Sequence, residues 1–520
     1  MKSHPVLVAG QWRDASPAGT FHTEKTPADP YPASAWADID AALLAAAQAA
    51  VALRQAPPES LARFLRAYAD LIESRKSEIV DLAAAETALP KSPRLADVEL
   101  PRTTHQLRLA ADAALEGSWA LPTIDTRLNI RSRHAAIGPV CIFGPNNFPL
   151  AFNAVSGGDF AAAIAAGNPV IAKAHPGHPG TTRLLAEQAF AALAQTDLPP
   201  ATLQFVYHVE VSVGLRLVAD PRLGATAFTG SRGSGLKLKS AADGAGKPIY
   251  LEMSSINPVV ILPGALRQRA EKIADEFTES CLAATGQFCT NPGLVILLAG
   301  PETESFVAEV ARRFSSRSPG PMLSSAVGAA LRTSVHLLVS AGAQVVAGNT
   351  PSEAGLANTL LRVDGRGFLR APHALQQEAF GNASLLVVAA DAVQARSILE
   401  HLDGNLTGSI YSDTLGSDDA TYAELALTLR RRVGRLLNDK MPTGVAVSPA
   451  MNHGGPYPST GHPGFTAVGI PASLRRFSML ECYDNVRPAR LPSALADKNP
   501  NGKMWRLIDG AWTQADAARG

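Results

Sequence analysis

Apolar positions in the first quarter of the chain recur at three- and four-residue intervals, the periodicity of amphipathic helices. This pattern predicts helices over residues 38–55 and 59–87. Asp38 and Ser60 stand at the starts of these patterns, where a side-chain oxygen can accept a hydrogen bond from the first helical turn. We therefore expect these two residues to be N-caps.

The pattern changes further along the chain. Residues 128–135 alternate apolar and polar side chains, as in a ribbon strand with one wet face, whereas Val-Cys-Ile-Phe at 140–143 is a short apolar run, as in a buried parallel strand. From there to about residue 262, and again from about 266 to 445, short apolar runs alternate with helical stretches. This alternation predicts parallel sheets covered by helices, an architecture common among nucleotide-binding proteins.

The stretch after residue 446 differs from the rest because it is rich in glycine and proline, as in MNHGGPYPSTGHPGFTAVGIP at 451–471. Glycine and proline at this density favour a loop over a helix or a strand. Loops of this length are often functional. We expect this one to close over another part of the molecule.

The length and the net charge of the chain limit the classes of protein to which it can belong. A chain of 520 residues is too long for one ordinary core, so we expect two or three domains. The net charge of +1 gives no electrostatic signature of nucleic acid or of an anionic membrane as a partner. No run of about 20 apolar residues is evident, and Pro5, Gly10 and Arg13 interrupt the N-terminal stretch. These features predict a cytoplasmic protein.

The four cysteines are too few for a disulfide framework and form no closely spaced pair. Each is either a buried apolar residue or a reactive thiol. Cys289 stands apart because it lies in Gly-Gln-Phe-Cys-Thr-Asn-Pro-Gly (286–293), where glycine and proline predict a tight, exposed connection between a helix and a strand. Nucleophilic catalysis needs an accessible thiol of this kind. Cys281, in contrast, lies within an amphipathic helical pattern.

Three further segments carry candidate chemistry. Glu252 ends the strand pattern KPIYLE, where a carboxylate activates water or is simply solvated. Asn147, in GPNNFP, offers an amide for an oxyanion, although an Asx turn would explain it too. The turn FTGSRGSG at 228–235 suits a pyrophosphate through its backbone N–H groups, but it lacks the GxGxxG spacing of the common dinucleotide fingerprint.

In their order along the chain, GPNNFP, PVIAKAHP, AFTGS, LEMSSINP, GQFCTNPG and EAFGN resemble the aldehyde dehydrogenase superfamily. The matches extend from residue 144 to 382, with weaker similarity over most of the chain. The segments KAHP and GQFCTNPG and the tail HGGPYPSTGHPGFTAVG are most similar to one branch of it. That branch contains 2-oxoglutarate semialdehyde (2,5-dioxopentanoate) dehydrogenases and bacterial NADP-dependent fatty-aldehyde dehydrogenases.

The resemblance implies an α/β architecture with three parts. A Rossmann-type cofactor domain would comprise residues 1–117 and 137–253, and an α/β catalytic domain residues 254–483. A β-ribbon oligomerisation arm would comprise residues 118–136 and 484–500, which implies a homodimer or homotetramer. The alternation of residues 128–135 agrees with a ribbon whose edge pairs with another subunit.

The resemblance also implies individual roles. Cys289 would be the nucleophile, Asn147 would form the oxyanion hole with the Cys289 backbone N–H, and Glu252 would be the base for hydrolysis. The residues implied to hold the cofactor are Lys173, Gly230, Ser231, Glu378 and Phe380. Together they would oxidise an aldehyde to a carboxylate through a thioester, without a metal ion.

Departures from the family pattern bear on the cofactor. Many NAD-preferring members have a glutamate three residues after the matching lysine, where this chain has Pro176. Without that carboxylate a 2′-phosphate meets less repulsion, and His175 could approach it. We therefore expect NADP to be used at least as well as NAD. Asn146 and Asn382 replace the usual tryptophan and proline of their motifs without removing a catalytic group.

The aldehyde pocket is less defined by the sequence. Phe152, Phe288 and Phe465 are candidate walls, or ordinary core aromatics, and Arg102 is a candidate cation for a substrate carboxylate. We expect 2,5-dioxopentanoate as the substrate. One alternative is a medium- or long-chain fatty aldehyde as the substrate. Another is transfer of the acyl group to coenzyme A instead of water. Retention of the cysteine, asparagine and glutamate argues against a non-catalytic binding protein.

Overall fold

The computed structural model describes residues 4–349 and 357–517. Its strands, in chain order, are β1 (Val6–Val8), β2 (Gln11–Arg13), β3 (Pro17–His22), β4 (Pro30–Ser34), β5 (Thr123–Asp125), β6 (Ile130–Ala136), β7 (Val140–Phe143), β8 (Val170–Lys173), β9 (Leu203–Val206), β10 (Ala225–Thr229), β11 (Ile249–Glu252), β12 (Val259–Ile261), β13 (Leu294–Leu298), β14 (Gln344–Ala347), β15 (Thr359–Asp364), β16 (Ala383–Ala389), β17 (Asn405–Tyr411), β18 (Val433–Asn438), β19 (Ser478–Asp484), β20 (Arg506–Ile508) and β21 (Ala511–Thr513).

Its α-helices are α1 (Trp36–Leu53), α2 (Pro58–Ser74), α3 (Lys76–Thr87), α4 (Leu100–Glu116), α5 (Gly158–Ala165), α6 (Pro179–Leu193), α7 (Val211–Val218), α8 (Arg232–Gly244), α9 (Pro263–Leu282), α10 (Pro301–Ser316), α11 (Ser325–Ser340), α12 (Gly365–Arg370), α13 (Pro372–Leu375), α14 (Ala392–Glu400) and α15 (Asp419–Arg430). A π-helical segment, Lys91–Glu99, leads directly into α4.

The first sheet has the strand order β11-β10-β7-β8-β9-β1-β2. Its first five strands are parallel, and the hairpin β1–β2 extends it antiparallel to β9. All four residues of β7 are buried, as expected for a strand covered on both faces. The predicted helix-covered parallel sheet is therefore confirmed.

The second sheet has the order β14-β15-β16-β13-β12-β17-β18 and is parallel except for β14. The chain passes from the first sheet to the second between β11 and β12, although the hydrophobic pattern grouped the run at β12 with the first block. The domain limits stay a prediction. Residues 1–3 and 350–356 of the predicted ranges lie outside the described residues.

A third sheet, of order β19-β6-β5-β20-β21, lies where the ribbon was expected. Strands β6 and β19 pair along seven residues, from Ile130 opposite Asp484 to Ala136 opposite Ser478. Of the predicted ribbon segment 484–500, only Asp484 belongs to a strand. The physical reason is local: the alternating run that pairs with β6 is Ser478–Asp484, and prolines follow it at 488 and 492.

The predicted N-caps are wrong, although both predicted stretches are helical, the second as α2 and α3 with a break at Arg75. Helix α1 begins two residues before Asp38, whose buried carboxylate instead accepts hydrogen bonds from Arg13 Nη2 (2.8 Å) and from the backbone N–H of Ser16 (2.9 Å). Helix α2 begins at Pro58, which suits a first helical position because it needs no N–H there. Ser60 donates to Asp197 at 2.7 Å.

Among the described residues, α1 is the helix whose length and composition would allow it to cross a membrane, with a mean hydropathy of 1.4. The same properties occur in core helices of globular proteins. Ile39, Leu43 and Leu53 of α1 are buried and belong to the cluster of side chains that packs against the first sheet. The apolar face of α1 is thus part of that core.

Candidate functional site

Glu252 lies at the carboxyl end of β11, next to the glycine-rich turn that follows β10. Glu252 is opposite Thr229 in the parallel pairing, and its carbonyl oxygen accepts a hydrogen bond from Gly230 N–H at 3.1 Å. The carboxyl ends of parallel strands form the ligand crevice of open α/β sheets. The strand pairing therefore brings the predicted base and the predicted pyrophosphate turn to one edge of the sheet.

Cys289 lies in the loop between α9 and β13, and backbone contacts fix its position. Gly286 has a φ of +69°, and a Cβ there would lie 2.1 Å from the carbonyl oxygen of Gly381, so only glycine fits. The side-chain amide of Asn257 donates to the carbonyl oxygens of Cys289 (2.9 Å) and Asn291 (2.8 Å). The loop holds Cys289 half-buried, whereas Cys281 is fully buried.

His453 joins the thiol to the carboxylate. Its Nε2 atom lies 2.9 Å from Oε1 of Glu252 and 3.5 Å from Sγ of Cys289. Glu252 and His453 are almost fully buried, at 1% and 2% exposure. The sequence analysis missed His453, although it quoted the segment that begins with it. The sequence signal for this residue was a lone histidine in a Gly- and Pro-rich loop. That loop does close over the crevice, because the backbone N–H of Met253 donates to the carbonyl oxygen of Ser459 at 2.8 Å.

The environment keeps the Cys289 thiol protonated at neutral pH. Burial raises the pKa of this thiol well above its usual range, and the carboxylate of Glu252 raises it further. The guanidinium of Arg102 acts in the opposite direction. Since the thiolate is the nucleophile, the site needs a base close to the sulfur, and His453 is in that position.

The same three side chains could bind a soft cation. Their sulfur, nitrogen and oxygen atoms all lie within 4.8 Å of one another. Cysteine, histidine and glutamate are ligands that Zn²⁺ accepts. The absence of a metal from the reaction stays a prediction from the sequence.

Asn147 lies beside the cysteine loop. Its side-chain amide is buried and donates to the carbonyl oxygen of Gln287 at 3.0 Å, which leaves its second N–H free for a ligand. Arg94 donates from Nη2 to the carbonyl oxygen of Asn147 at 2.9 Å and forms an ion pair with the buried Glu99. Glu99 in turn accepts from the backbone N–H of Leu150 at 2.8 Å.

Aromatic side chains form one wall next to these groups. Phe148, which sequence reasoning missed, has its ring centroid 5.1 Å from that of Phe152 and 5.6 Å from that of Phe288. The Phe152 ring is 5.9 Å from that of His453, and the Arg102 guanidinium lies 5.1 Å above it. Phe465 is not among these ring contacts, since it is buried in the core with the Arg476 guanidinium 4.9 Å from its ring.

A cavity of about 330 Å³ lies between the start of α8, the segment that follows β11 and the loop before β16, and Arg232, Ser255 and Glu378 are among its lining residues. The backbone N–H of Ser255 donates to the Glu378 carboxylate at 3.4 Å. Burial raises the pKa of Glu378 to about 6. Phe380 is half-buried two residues further along. The volume suits a nicotinamide ribose, with Glu378 as the acceptor for its hydroxyl groups.

The start of α8 offers a second contact for such a cofactor. Gly230 and Ser231 are exposed, and the Ser231 hydroxyl caps α8 by accepting from Ser234 N–H at 3.4 Å. A Cβ at Gly233 would meet nothing within 4 Å, so the helix terminus is open. The exposed N–H groups and the dipole of a helix N-terminus favour phosphate. The residues present therefore fit a dinucleotide.

Lys173 and His175 lie together at the end of β8. Burial lowers the pKa of Lys173 to about 8 and that of His175 well below its usual range, so the histidine is neutral. His175 Nδ1 accepts from Gly177 N–H at 3.0 Å, and its ring stacks on that of His178 with centroids 5.4 Å apart. A neutral ring with an occupied Nδ1 presents Nε2–H as a hydrogen-bond donor.

A protein-family model described as the aldehyde dehydrogenase family matches residues 20–443 of this chain. Curated relatives include "Alpha-ketoglutaric semialdehyde dehydrogenase 2" of Azospirillum brasilense, which is 38% identical over 97% of this chain and 98% of its own length. "Alpha-ketoglutaric semialdehyde dehydrogenase" of Acinetobacter baylyi is 36% identical over 92% of both chains.

Solved structures with a similar fold include PnpE in complex with nicotinamide adenine dinucleotide, with a TM-score of 0.79 and 20% identity over 93% of this chain and 98% of that one. Lactaldehyde dehydrogenase from Escherichia coli has a TM-score of 0.79 and 21% identity, over 92% of this chain and 98% of that one. These likenesses confirm the predicted fold class.

Proposed function

Because this chain belongs to the aldehyde dehydrogenase family, we propose that it oxidises an aldehyde to a carboxylate through a thioester on Cys289, with NADP or NAD as the oxidant. The single observation that carries the proposal is the contact of His453 with both Cys289 and Glu252. That contact supplies a nucleophile, a proton acceptor and a carboxylate within one buried site.

We propose 2,5-dioxopentanoate, the semialdehyde of 2-oxoglutarate, as the substrate and 2-oxoglutarate as the product. The names of two relatives that match over more than nine-tenths of the chain support this choice. Arg102 supports it too, because a substrate carboxylate needs a cation near the thiol. Phe152 and Phe288 would contact the aliphatic carbons, whereas the buried position of Phe465 suits it to a supporting role.

In the first half of the reaction, the buried pair of Glu252 and His453 accepts the proton of the Cys289 thiol, and Sγ attacks the aldehyde carbon. The carbonyl oxygen becomes an oxyanion that accepts hydrogen bonds from the free N–H of the Asn147 amide and from the Cys289 backbone N–H. One such donor lowers the barrier by about 3–4 kcal/mol. A nicotinamide held by Glu378 and Phe380 would supply the hydride acceptor that the conversion of this adduct into a thioester requires.

In the second half, water attacks the thioester carbon and releases the carboxylate product and the Cys289 sulfur. The Glu252 carboxylate takes a proton from this water. Its Oε1 is hydrogen-bonded to His453, whereas its buried Oε2 atom has no hydrogen-bond partner among the described residues and is available to a water molecule. This free oxygen favours hydrolysis over transfer of the acyl group to coenzyme A.

We propose Lys173, His175, Gly230, Ser231, Glu378 and Phe380 as the cofactor-binding residues. NADP should be used at least as well as NAD, since the ammonium of Lys173 and the Nε2–H of His175 can both meet a 2′-phosphate. The position of Pro176 adds no carboxylate to repel it. The exposed Glu210, on the following connection, limits this preference.

We also propose a homodimer or homotetramer in the cytoplasm, assembled through the third sheet. Leu480 on β19 and Leu128 on the neighbouring turn are 64% and 58% exposed. Large apolar side chains in such positions are typical of surfaces that another subunit covers. The small-molecule partner that we propose is the aldehyde substrate.

The test is an aldehyde panel with both cofactors, followed by the absorbance of the reduced nicotinamide. We expect kcat/KM for 2,5-dioxopentanoate to exceed that for hexanal, and kcat/KM with NADP to equal or exceed that with NAD. A clear preference for hexanal refutes the semialdehyde substrate, and about a hundredfold preference for NAD refutes the cofactor choice. Formation of acyl-CoA after adding coenzyme A would identify the acylating alternative. Cys289→Ser is the inactive control.

A further inference from the structure

Two arginine side chains from different elements hold one loop beside the site. Arg102, on α4, donates from Nη1 to the carbonyl oxygen of Val445 at 2.8 Å. Arg435, on β18, donates from Nη1 to the carbonyl oxygen of Gly444 at 3.3 Å. Because Gly444 and Val445 are consecutive residues, the two guanidiniums bind the same short stretch of backbone.

This stretch borders the wall of the aldehyde pocket. The Arg102 guanidinium lies above the ring of Phe152, which contacts His453. Arg435 Nη1 lies 3.8 Å from Sδ of Met451, two residues before His453. The charge of a Cys289 thiolate acts on both guanidiniums. Both arginines therefore belong to the surroundings of the reacting sulfur.

Neither guanidinium forms an ion pair with a carboxylate in the part of the chain that the structure describes. Within the described residues their hydrogen bonds go to neutral acceptors, which for Arg435 are Gly444 O, Met451 Sδ and Pro442 O. Nε and Nη2 of Arg102 are buried without a hydrogen-bond partner. The nearby carboxylates of Glu99 and Glu252 are engaged by Arg94 and His453.

Burying a cation without a counter-ion costs free energy unless a partner is added. Burial lowers the pKa of both Arg102 and Arg435, but a guanidinium stays protonated at neutral pH. A ligand carboxylate would satisfy the unpaired N–H groups of Arg102 and the charge of Arg435 together. An aldehyde with an uncharged tail would leave these N–H groups and this charge without a partner.

We propose that Arg102 and Arg435 together bind the carboxylate at the end of the substrate opposite the aldehyde, and so select aldehydes that end in a carboxylate. This inference rests on the proposed function. Arg435 is the new member of the pair, since no sequence motif marks it. The aliphatic carbons between the two ends of the substrate would lie along Phe152, and neither arginine takes part in the chemical step.

The first experiment measures the ratio of kcat/KM for 2,5-dioxopentanoate to that for pentanal, an uncharged aldehyde of equal chain length. We expect Arg102→Met and Arg435→Met each to lower this ratio about 10- to 100-fold, mainly through KM for the semialdehyde. Arg435→Lys should restore part of it. Arg108→Met is the matched control, because Arg108 is on the same helix and pairs with Asp70 and Glu73 at the surface.

The second experiment needs no turnover. Glutarate, a five-carbon dicarboxylate, should raise the thermal midpoint of the wild-type protein and of Arg108→Met, but not that of either pocket variant. NADP should raise the midpoint of all four proteins, which verifies that the variants are folded.

The two possible failures are distinguishable. If the wild type has the same kcat/KM for pentanal as for the semialdehyde, the substrate proposal is refuted, and this inference is refuted with it. If the wild type prefers the semialdehyde and both methionine variants keep that preference and the glutarate response, only the role of the arginines is overturned.

Discussion

His453 is the residue on which the chemistry depends most directly. Burial and the neighbouring carboxylate of Glu252 raise the pKa of the Cys289 thiol, so its activation depends on the proton acceptors beside it, and His453 contacts both the thiol and that carboxylate. The carboxylate of Glu252 and the imidazole of His453 form a buried pair that can share the proton of Cys289.

Replacing Glu252 by Gln should separate thiol reactivity from turnover. Removing the negative charge lowers the pKa of Cys289, so alkylation by iodoacetamide at neutral pH should become faster. Steady-state turnover should fall by a factor of about 100 or more, because the thioester is no longer hydrolysed efficiently. Acid-quench mass spectrometry should show the acyl-enzyme. Slower alkylation than in the wild type would contradict this account.

Glu378 should make cofactor binding pH-dependent. Burial raises its pKa to about 6, so the carboxylate that accepts hydrogen bonds is present above that pH and is lost as the pH falls through it. We expect KM for the cofactor to rise several-fold from pH 7 to about pH 5.5. Glu378→Gln should show a high KM that does not change over this range. A pH response retained in that variant would place its origin elsewhere.

At the scale of elements, the π-helical segment Lys91–Glu99 holds the turn that carries Asn147. Arg94 reaches the carbonyl oxygen of Asn147, and its guanidinium lies 4.3 Å from the Phe148 ring centroid. Glu99 accepts from the backbone of Leu150 and forms an ion pair with Arg94. The position of the predicted oxyanion donor is therefore set by an element that touches no substrate.

Arg94→Met should disturb both stability and catalysis. The free energy of unfolding should fall by about 3–5 kcal/mol, because Glu99 is left buried without its cation. We expect kcat to fall about tenfold while KM for the cofactor stays constant, since the change misplaces only the Asn147 turn. Urea denaturation and steady-state kinetics measure these effects.

Arg396→Met is the control for this change, because Arg396 pairs with Glu424 on the surface. An exposed pair contributes at most about 1 kcal/mol. Equal losses of stability in the two variants would argue against a special role for the Arg94–Glu99 pair.

For the whole molecule, the third sheet matters because its edge strand β19 exposes large apolar side chains. Leu480 on β19 lies among exposed residues of a long, regular strand pair. A sheet with such an edge and such side chains tends to associate with a second copy. The active site draws its residues from the first two sheets and the tail loop, so assembly should affect stability more than chemistry.

Leu480→Glu should reduce the molar mass measured by light scattering after size-exclusion chromatography. A charge placed in an apolar subunit contact is costly to bury, so the oligomer should dissociate. Leu427→Glu is the matched control, because Leu427 is 75% exposed on α15, away from the third sheet. If both variants keep the wild-type mass, the predicted interface is wrong.

The sequence by itself determined what local pattern can specify. Short apolar runs predicted the parallel strands, because a strand buried on both faces needs apolar side chains at every position. Glycine and proline around Cys289 predicted its loop, and the strand end predicted the position of Glu252. The sequence did not predict the helix starts correctly, because Arg13, which lies outside α1, binds the Asp38 carboxylate that was expected to cap that helix.

Only the tertiary structure decided which side chains meet. His453 and Phe148 lie in segments that the resemblance used, but nothing local singles out either residue, and each matters through a contact with the distant cysteine loop. Arg435 has no motif, and its role depends on sharing one loop with Arg102. The pKa of Cys289 depends on burial and on Glu252, which lies on a different element. Periodicity and turn chemistry act over a few residues, whereas burial and charge act through space, so the fold had to be known before the site could be completed.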